Sequence, residues 1–293
     1  MDTLTKAITT DKTIRIYSVI ATETAETARQ HHQTTPVATA ALGRILSAGL
    51  LMGAMLKGEN HSITLQIRGD GPLGRVLAVA DSLGTIKGCV QNPLADVPLK
   101  ENGKLDVGGA IGKKGFLSVI KDLKMKEPYC GISPLQTGEI GDDLAYYFMQ
   151  SEQTPSIVGV GVSIDKNGAV KHAGGYIVQV MPECGDASIS RLETGLKGLP
   201  SVTEMLSDGY TGVDIIKTVM LGFDTEILEE TAVKYRCNCT LDRVERALIS
   251  LGRQELDEMI EEQGSASITC QFCDKVYDFS KEDLCELLRK AKK

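Results

Sequence analysis

The sequence predicts an α+β protein with an N-terminal α/β sheet-and-helix domain at 1–182, a helical linker at 183–234 and a small C-terminal domain at 235–293. Three observations lead to this division. Strand and hairpin patterns recur up to about residue 180 and then stop. Short helical patterns interrupted by glycine replace them, and two close pairs of cysteines follow near the end. The chain of 293 residues is long enough for about two domains.

The composition is that of a globular protein with ample core, since 42% of the residues are hydrophobic and 24% are charged. A net charge of −7 disfavours non-specific binding to nucleic acid or to anionic membranes, and we expect neither as a partner. The first residues lack a basic segment followed by an apolar run, so no signal peptide is expected. We therefore expect a cytoplasmic protein whose thiols stay reduced.

The longest apolar stretch, 36–56, predicts a long helix with Pro36 at its first position and an end near Gly58. Arg44 lies near its middle. A central arginine costs about 2.5–3.5 kcal/mol on membrane insertion, so we interpret this as a buried core helix and not as a membrane span. A strand at 13–20 and a polar helix at 22–33 are predicted to precede it.

The next segments predict strands. Residues 62–68 and 75–80 each have a strand pattern. Between them, Gly69–Gly74 matches the G-x-G-x-x-G pattern of dinucleotide-binding loops, but that pattern requires a helix to begin at its third glycine. Because a strand follows here, we interpret the segment as a hairpin turn. Further strands are expected within 84–93 and 107–120.

Paired carboxylates at Asp142 and Asp143 precede a predicted helix at 144–150 and leave two interpretations open. Such a pair can act as an acid/base couple in catalysis. More often it stabilises a helix N-terminus by capping and by interaction with the helix dipole. No neighbouring side chain completes a catalytic set, so capping is favoured. We expect no catalytic residue, and the chain is not predicted to be an enzyme.

The clearest hairpin joins 158–164 to 175–180 through an Asn-Gly turn. After it, residues 185–230 predict short helices separated by glycine and proline. These helical pieces lie within 188–196, 201–206 and 213–221. Helices this short are marginal in isolation. Their many Leu, Ile and Met residues therefore predict a segment that folds only against a neighbouring surface.

The last part of the chain carries strong local signals for a compact unit. Thr240 can cap a helix that ends at Gly252, and a second, acidic helix runs through 255–262. Residues 267–279 predict a short hairpin. Ser280 begins the last helix with a Ser-x-x-Asp capping pattern.

Four of the eight cysteines form two close pairs, Cys237-x-Cys239 and Cys270-x-x-Cys273, with thirty residues between the pairs. Four thiolates can close a tetrahedron around Zn²⁺ at about 2.3 Å, although the first pair has a shorter spacer than is usual. Two disulfides or four unrelated core thiols are the alternatives, which the reducing compartment and the double pairing disfavour. We therefore expect one Zn²⁺ per chain, bound by these four residues in a closed structural site.

A zinc-binding domain at 235–293 would depend on its metal, because so small a unit cannot rely on a hydrophobic core alone. The same thiolates can be oxidised, and a disulfide removes two ligands from the metal. One hypothesis is a redox switch, in which oxidation releases the metal, the domain unfolds, and segment 185–230 loses support if it docks there. A permanently structural zinc explains the cysteines equally well at this point.

Several motifs together resemble the 33 kDa chaperonin family, the redox-regulated heat-shock holdases of bacteria. The resemblance extends over nearly the whole chain and is carried by the C-x-C…C-x-x-C arrangement and three further segments. These segments are Gly69–Gly74, Gly138–Asp143 with the following Leu-Ala-Tyr-Tyr-Phe, and Gly175–Val180. The resemblance implies an ATP-independent chaperone that binds unfolded or oxidatively damaged client proteins and prevents their aggregation.

In that family the reduced, zinc-bound form is inactive. By resemblance, Cys237, Cys239, Cys270 and Cys273 are the zinc ligands. The resemblance further implies that oxidation forms the disulfides Cys237–Cys239 and Cys270–Cys273, releases zinc, unfolds the linker and yields an active homodimer. Four cysteines have no counterpart in the motif: Cys89, Cys130, Cys184 and Cys285.

Two other classes of protein compete with this interpretation. A thiol–disulfide oxidoreductase using Cys270-x-x-Cys273 would need an accessible thiol of low pKa near a βαβ pattern, which the sequence lacks. A nucleic-acid-binding zinc ribbon is disfavoured by the acidic helix at 255–262 and by the net charge.

Overall fold

The computed structural model describes residues 1–291 and separates into two compact units, Met1–Arg236 and a second that begins at Cys237. Mixed helix and strand confirm the α+β class. The first unit includes the segment predicted as a linker as well as 1–182. The three-part division of the chain remains a prediction.

The strands of the first unit are β1 Thr3–Thr9, β2 Ile14–Ile20, β3 Ser62–Arg68, β4 Arg75–Asp81, β5 Thr85–Val90, β6 Phe116–Asp122, β7 Tyr129–Pro134, β8 Ser156–Ile164, β9 Val170–Val180, β10 Thr225–Ala232 and β11 Lys234–Tyr235. Its helices are α1 Thr22–His32, α2 Pro36–Gly53, α3 Val107–Ile111, α4 Ile140–Ser151, α5 Asp186–Leu196, α6 Val202–Ser207 and α7 Gly212–Val219. The second unit has α8 Leu241–Leu251, α9 Arg253–Glu262, β12 Ala266–Thr269, β13 Val276–Phe279 and α10 Lys281–Lys290.

Two sheets form the framework of the first unit. The first sheet has the order β10-β1-β2-β9-β8 and is antiparallel throughout. The second has the order β11-β5-β4-β3-β6-β7, and only the short β11 runs parallel to its neighbour, β5. The strands predicted at 13–20, 62–68 and 75–80 are confirmed.

Helix α2 is the centre of the main core and packs against strands of both sheets. By length and composition it could cross a membrane, but 89% of its apolar window is buried within the protein, as predicted for a core helix. A Cβ on Gly49 would lie 2.8 Å from Ile86 Cδ1, so glycine lets the helix approach the second sheet closely. The helix ends at Gly53 and not near Gly58, because Met55 and Leu56 bond back by only three residues and tighten the chain into turns.

The segment Gly69–Gly74 is the hairpin turn that the sequence predicts, and it joins β3 to β4. The Gly71 amide donates to the Ile111 carbonyl at 2.9 Å, and a Cβ on Gly71 would lie 2.4 Å from the Ala110 carbonyl oxygen. Glycine therefore lets the backbone of this turn pass close to the backbone of α3. The sequence patterns did not predict α3.

The paired carboxylates are structural, but neither is the N-cap of α4, which is Glu139. Both lie in the first turn, where negative charge suits the helix dipole. Asp143 is fully buried, and its Oδ1 accepts hydrogen bonds from the amides of Gln136 and Thr137. Burial raises the pKa of the Asp143 carboxyl. The pair thus orders the turn before α4.

Helices α5, α6 and α7 lie on one face of the first sheet and form a second apolar cluster with it. The helices contribute Leu192, Val202, Met205, Leu206, Ile215, Ile216, Val219 and Met220, and the sheet contributes Ala7, Ile14, Ile16, Tyr176 and Val178. Capping boxes begin α6 at Ser201 and α7 at Thr211. The neighbouring surface that these short helices were predicted to need is therefore the first sheet.

The prediction of helix up to residue 230 is wrong for Thr225–Ala232, which is the edge strand β10. It pairs with β1, and Lys6 Nζ lies 2.8 Å from Glu229 Oε2. The β-branched Thr225, Ile227 and Thr231 suit a strand. The strand was not predicted because it is mostly exposed and acidic. It therefore lacks the alternation of apolar and polar residues that marks a half-buried strand.

The chain is anchored to the second sheet directly before Cys237. The Tyr235 hydroxyl donates to the Gly88 carbonyl at 2.9 Å, and its ring centroid lies 5.5 Å from that of His31. The Arg236 amide donates to the Ile86 carbonyl at 2.8 Å. These bonds attach the last residues of the first unit, 234–236, to its second sheet.

Glu26 attaches α1 to β9 and makes a pH-dependent contribution to stability that can be tested. Its carboxylate binds Arg29 through two nitrogens at 2.7 and 2.8 Å and accepts the Val170 amide at 2.9 Å. The Arg29 hydrogen bonds are the main cause that lowers the pKa of Glu26 to about 2. Glu26→Gln is expected to lower the free energy of unfolding by about 1–3 kcal/mol at neutral pH.

The sign of this effect follows from the depressed pKa. The carboxylate stabilises the fold fully above its ordinary pKa of 4.5, and this contribution is lost as the pH falls towards 2. Urea unfolding of both proteins at neutral and progressively lower pH measures the difference, which should shrink with acid. Glu23→Gln on the same helix, at an exposed position, is the control. A difference that stays constant with pH contradicts the prediction.

The second unit has a small core of its own. Its buried apolar residues are Leu248, Leu256, Ile260, Ala266, Tyr277, Phe279, Leu284 and Leu287. As predicted, Thr240 caps α8, Gly252 ends it with a φ of 98°, and Ser280 begins α10 in a capping box. The predicted hairpin is present as β12 and β13.

Candidate metal centre

Two short segments carry the four cysteines within the second unit. Cys237 and Cys239 lie in the segment that leads into α8, and Cys270 and Cys273 lie in the turn between β12 and β13. In this turn the Cys270 amide donates to the Lys275 carbonyl at 2.9 Å, and the Asp274 amide donates to the Cys270 carbonyl at 2.9 Å. The left-handed backbone of Asp274, with a φ of 54°, lets the turn close.

The structure brings all four sulfurs together. Every pair lies within 4.8 Å, with 3.7 Å between the sulfurs of Cys237 and Cys270 and 3.4 Å between those of Cys239 and Cys273. A tetrahedron with metal–sulfur bonds of about 2.3 Å has edges of about 3.8 Å. A disulfide would need about 2.05 Å, and all four thiols are free. The four residues could therefore hold a metal ion.

The arrangement is closed, because four protein sulfurs fill the four positions of a tetrahedral ion. A catalytic metal usually retains an open position for water or substrate. All four cysteines are half-buried, which limits access of solvent to the centre. The geometry is therefore that of a structural centre that joins the segment before α8 to the β12–β13 hairpin.

Tyr277 on β13 is a member of the site that the cysteine spacing did not reveal. Its hydroxyl donates to the Cys239 sulfur at 3.2 Å. The signal in the sequence is its position four residues after Cys273, on the strand that leaves the turn. The ammonium group of Lys275 lies 5.0 Å from the centroid of the Tyr277 ring.

The thiols of the cluster differ in pKa because their surroundings differ. Burial raises the pKa of Cys237, and burial together with the neighbouring sulfurs raises that of Cys273 to about 12. At Cys239 burial is outweighed by hydrogen bonds from Tyr277 and the other cysteines, which lower its pKa to about 7. The same hydrogen bond raises the pKa of Tyr277 to about 12. Metal binding by all four sulfurs would therefore release protons and strengthen with pH.

The other cysteines and the histidines lie outside the cluster. Within residues 1–291, the one group of three or more potential ligands from His, Cys, Asp and Glu is this set of four cysteines. Cys89 is buried on β5, Cys130 is exposed on β7, and Cys184 and Cys285 are half-buried. The four histidines, all within the described residues, are not members of this group.

Comparison with known proteins identifies relatives over the whole chain. A model of the family described as Hsp33 protein matches residues 2–280. The 33 kDa chaperonin of Thermoanaerobacter pseudethanolicus is 45% identical over 290 residues, which cover 99% of each chain. That of Clostridium perfringens is 46% identical over 293 residues, covering 100% of this chain and 92% of its own. These relatives are named as chaperonins and not as enzymes.

A solved structure is similar as well. The crystal structure of the 33 kDa chaperonin from Thermotoga maritima matches with a TM-score of 0.89 at 37% sequence identity. The match covers 98% of this chain and 98% of that one. The fold described above is therefore shared with that protein over almost its full length.

Proposed function

The chain belongs to the Hsp33 protein family of chaperones, and from that premise we propose that it is a redox-regulated, ATP-independent holdase. In the reduced state it binds Zn²⁺ and is inactive. Oxidation releases the metal and exposes apolar surface that binds unfolded or oxidatively damaged client proteins. The observation that carries the proposal is the convergence of four free cysteine sulfurs within a unit of small core.

Zinc is the metal that the donor set supports best. Soft thiolate ligands select Zn²⁺, Cu⁺ or iron–sulfur clusters, and the sulfur–sulfur distances suit a single tetrahedral ion. When bound, such an ion contributes about 10–16 kcal/mol of apparent free energy to a small domain. One Zn²⁺ per chain, held by Cys237, Cys239, Cys270 and Cys273, would therefore determine whether the second unit is folded.

Oxidation removes these ligands in pairs. A thiolate attacks one oxygen of hydrogen peroxide, forms a sulfenic acid and releases water after protonation. The neighbouring thiol then displaces hydroxide from that sulfur, forming the disulfide and a second water. Formation of each disulfide thus consumes one hydrogen peroxide, which takes up the two electrons that the pair of thiols loses. The proposed pairs are Cys237–Cys239 and Cys270–Cys273, since cysteines separated by only one or two residues stay close in the chain after the unit opens.

The first unit contains the apolar surface that such a switch could uncover. Helices α5, α6 and α7 are short and bury Met205, Ile215 and Ile216 completely against the first sheet. The segment 183–234 that contains them leads directly into Cys237. In the proposal, unfolding of the second unit destabilises this linker, and its helices detach. The uncovered apolar face binds clients and supports a homodimer.

The net charge bears on other classes of partner, and the redox chemistry of the thiols bears on the location of the protein. The net charge of −7 and the closed metal centre give no support to nucleic acid or a membrane as a partner. The switch requires reduced thiols at rest, so the proposal places the protein in the cytoplasm, where a rise in oxidant would act as the signal.

The test compares the reduced and peroxide-treated forms of the protein. The oxidised form, warmed slightly, is expected to suppress light scattering from a heat-unfolded client and to release its zinc, whereas the reduced form does neither. Cys270→Ser should bind zinc weakly and lose redox control. Cys130→Ser, which removes an exposed cysteine outside the cluster, should retain the switch.

Three experimental outcomes would contradict the proposal. Equal suppression of scattering by both forms would remove the switch. Zinc that stays bound after peroxide treatment would indicate a permanently structural metal. Repeated turnover of a small disulfide substrate would indicate a thiol–disulfide oxidoreductase that uses Cys270-x-x-Cys273.

A further inference from the structure

The hydrogen bond from Tyr277 to the Cys239 sulfur joins the core of the second unit to its metal centre. The tyrosine side chain is only 6% exposed and packs in the apolar cluster of the unit, so its ring position is fixed. Its hydroxyl oxygen lies 3.2 Å from the Cys239 sulfur, a suitable distance for an O–H···S hydrogen bond. The hydroxyl is only partly buried, and its hydrogen-bond partner within the protein is the Cys239 sulfur.

Tyr277 differs in kind from other donors at the centre. The hydrogen bonds that close the Cys270–Cys273 turn, such as the one from the Cys270 amide to the Lys275 carbonyl, come from the backbone. Backbone amides are supplied by almost any residue that keeps the turn. The hydroxyl at position 277 is supplied by the side chain alone, and phenylalanine would retain the ring and lose the bond. A substitution at position 277 can therefore remove this hydrogen bond without changing the fold.

The hydrogen bond from Tyr277 would matter because the metal centre carries net negative charge. Four thiolates around a divalent ion carry two net negative charges, which a half-buried site must accommodate. A hydrogen bond to a thiolate disperses part of that charge and holds the sulfur in one direction. Lys275, whose ammonium group lies over the same ring, adds positive charge on this side of the centre.

We propose that Tyr277 is a positioning residue of the metal centre, which orients the Cys239 sulfur and thereby slows loss of the metal. The inference rests on the proposed function in one respect, that the four sulfurs bind one divalent ion. It deepens that function by naming a residue that sets how readily the switch releases its metal. Outer partners of metal ligands typically change metal affinity about 10–100-fold when they are removed.

The test uses the full chain with Tyr277→Phe and two readouts. Competition with a chromogenic chelator should show zinc affinity lowered by about 10–100-fold and faster zinc transfer. In the Co²⁺-substituted protein, the sulfur-to-metal charge-transfer band should move to longer wavelength, because a sulfur without a hydrogen bond gives up electron density more easily. A role in packing alone would not move this band.

Tyr129→Phe, on an exposed strand of the first unit, is the matched control and should change neither readout. If Tyr277→Phe does not fold, replacement of Tyr277 by 3-fluorotyrosine keeps the ring and strengthens the donor, and the band should then move to shorter wavelength. An unchanged band and affinity in the folded variant overturn the inference. A wild-type protein that binds neither Zn²⁺ nor Co²⁺ through sulfur overturns the proposed function instead.

Discussion

Removal of the metal is expected to unfold the second unit, so that the amides of 237–291 exchange at the rate of an unfolded chain. The reason is the balance of free energies. A structural zinc contributes about 10–16 kcal/mol, whereas a whole domain is stable by only about 5–15 kcal/mol. The core of this unit has only eight buried hydrophobic residues, listed above, and cannot replace the metal.

Hydrogen exchange followed by mass spectrometry, before and after treatment with a strong chelator, measures this effect by segment. Helix α2 is the internal control, because its core lies in the first unit and involves none of the four cysteines. The amides of 186–219 provide a separate result. They should exchange faster if unfolding of the second unit is transmitted to α5, α6 and α7. Slow exchange throughout 237–291 after chelation would disprove metal-dependent folding of the unit.

The two predictions can fail separately, which makes the experiment informative. If 237–291 unfolds and 186–219 stays protected, the metal is structural but the switch does not reach the apolar surface. The anchor at Tyr235 and Arg236 is then strong enough to keep the first unit intact without its neighbour. Peroxide treatment in place of the chelator should give the same pattern when oxidation acts through metal loss.

Local signals in the sequence predicted much of this structure. Capping residues at Thr240 and Ser280, the turn at Gly69–Gly74 and the Asn-Gly hairpin act over a few neighbouring residues, and each is present as expected. The short spacing within each cysteine pair is equally local, whereas the meeting of the two pairs is a tertiary contact that the need for four metal ligands made predictable. Such features are stabilised by their own neighbours and so leave a readable pattern.

Features defined by distant partners were missed. Strand β10 pairs with β1 at the other end of the unit, and its exposed acidic residues show no alternation. Tyr277 is important only because Cys239, far away in sequence, meets its hydroxyl. The surface that supports α5, α6 and α7 is likewise set by tertiary contacts, and the sequence showed only that some support was needed.

Ile216→Asp is expected to produce chaperone activity without oxidation. Ile216 is fully buried on α7, in the cluster between the linker helices and the first sheet. Loss of a buried isoleucine side chain costs about 2–5 kcal/mol, and burial of an unpaired carboxylate adds to this. Because α7 has only 8 residues and depends on tertiary packing, it should detach and uncover the apolar face of the sheet.

Reduced, zinc-bound Ile216→Asp should therefore suppress client light scattering about as well as the oxidised wild-type protein, with its zinc content unchanged. Lys217→Asp is the control, because it places the same carboxylate at the next, exposed position of the same helix, with a larger change of net charge, and should stay inactive when reduced. Exchange of the 212–219 amides verifies detachment. If these amides exchange rapidly and the reduced variant is still inactive, the client-binding surface lies elsewhere, and oxidation must do more than release α5, α6 and α7.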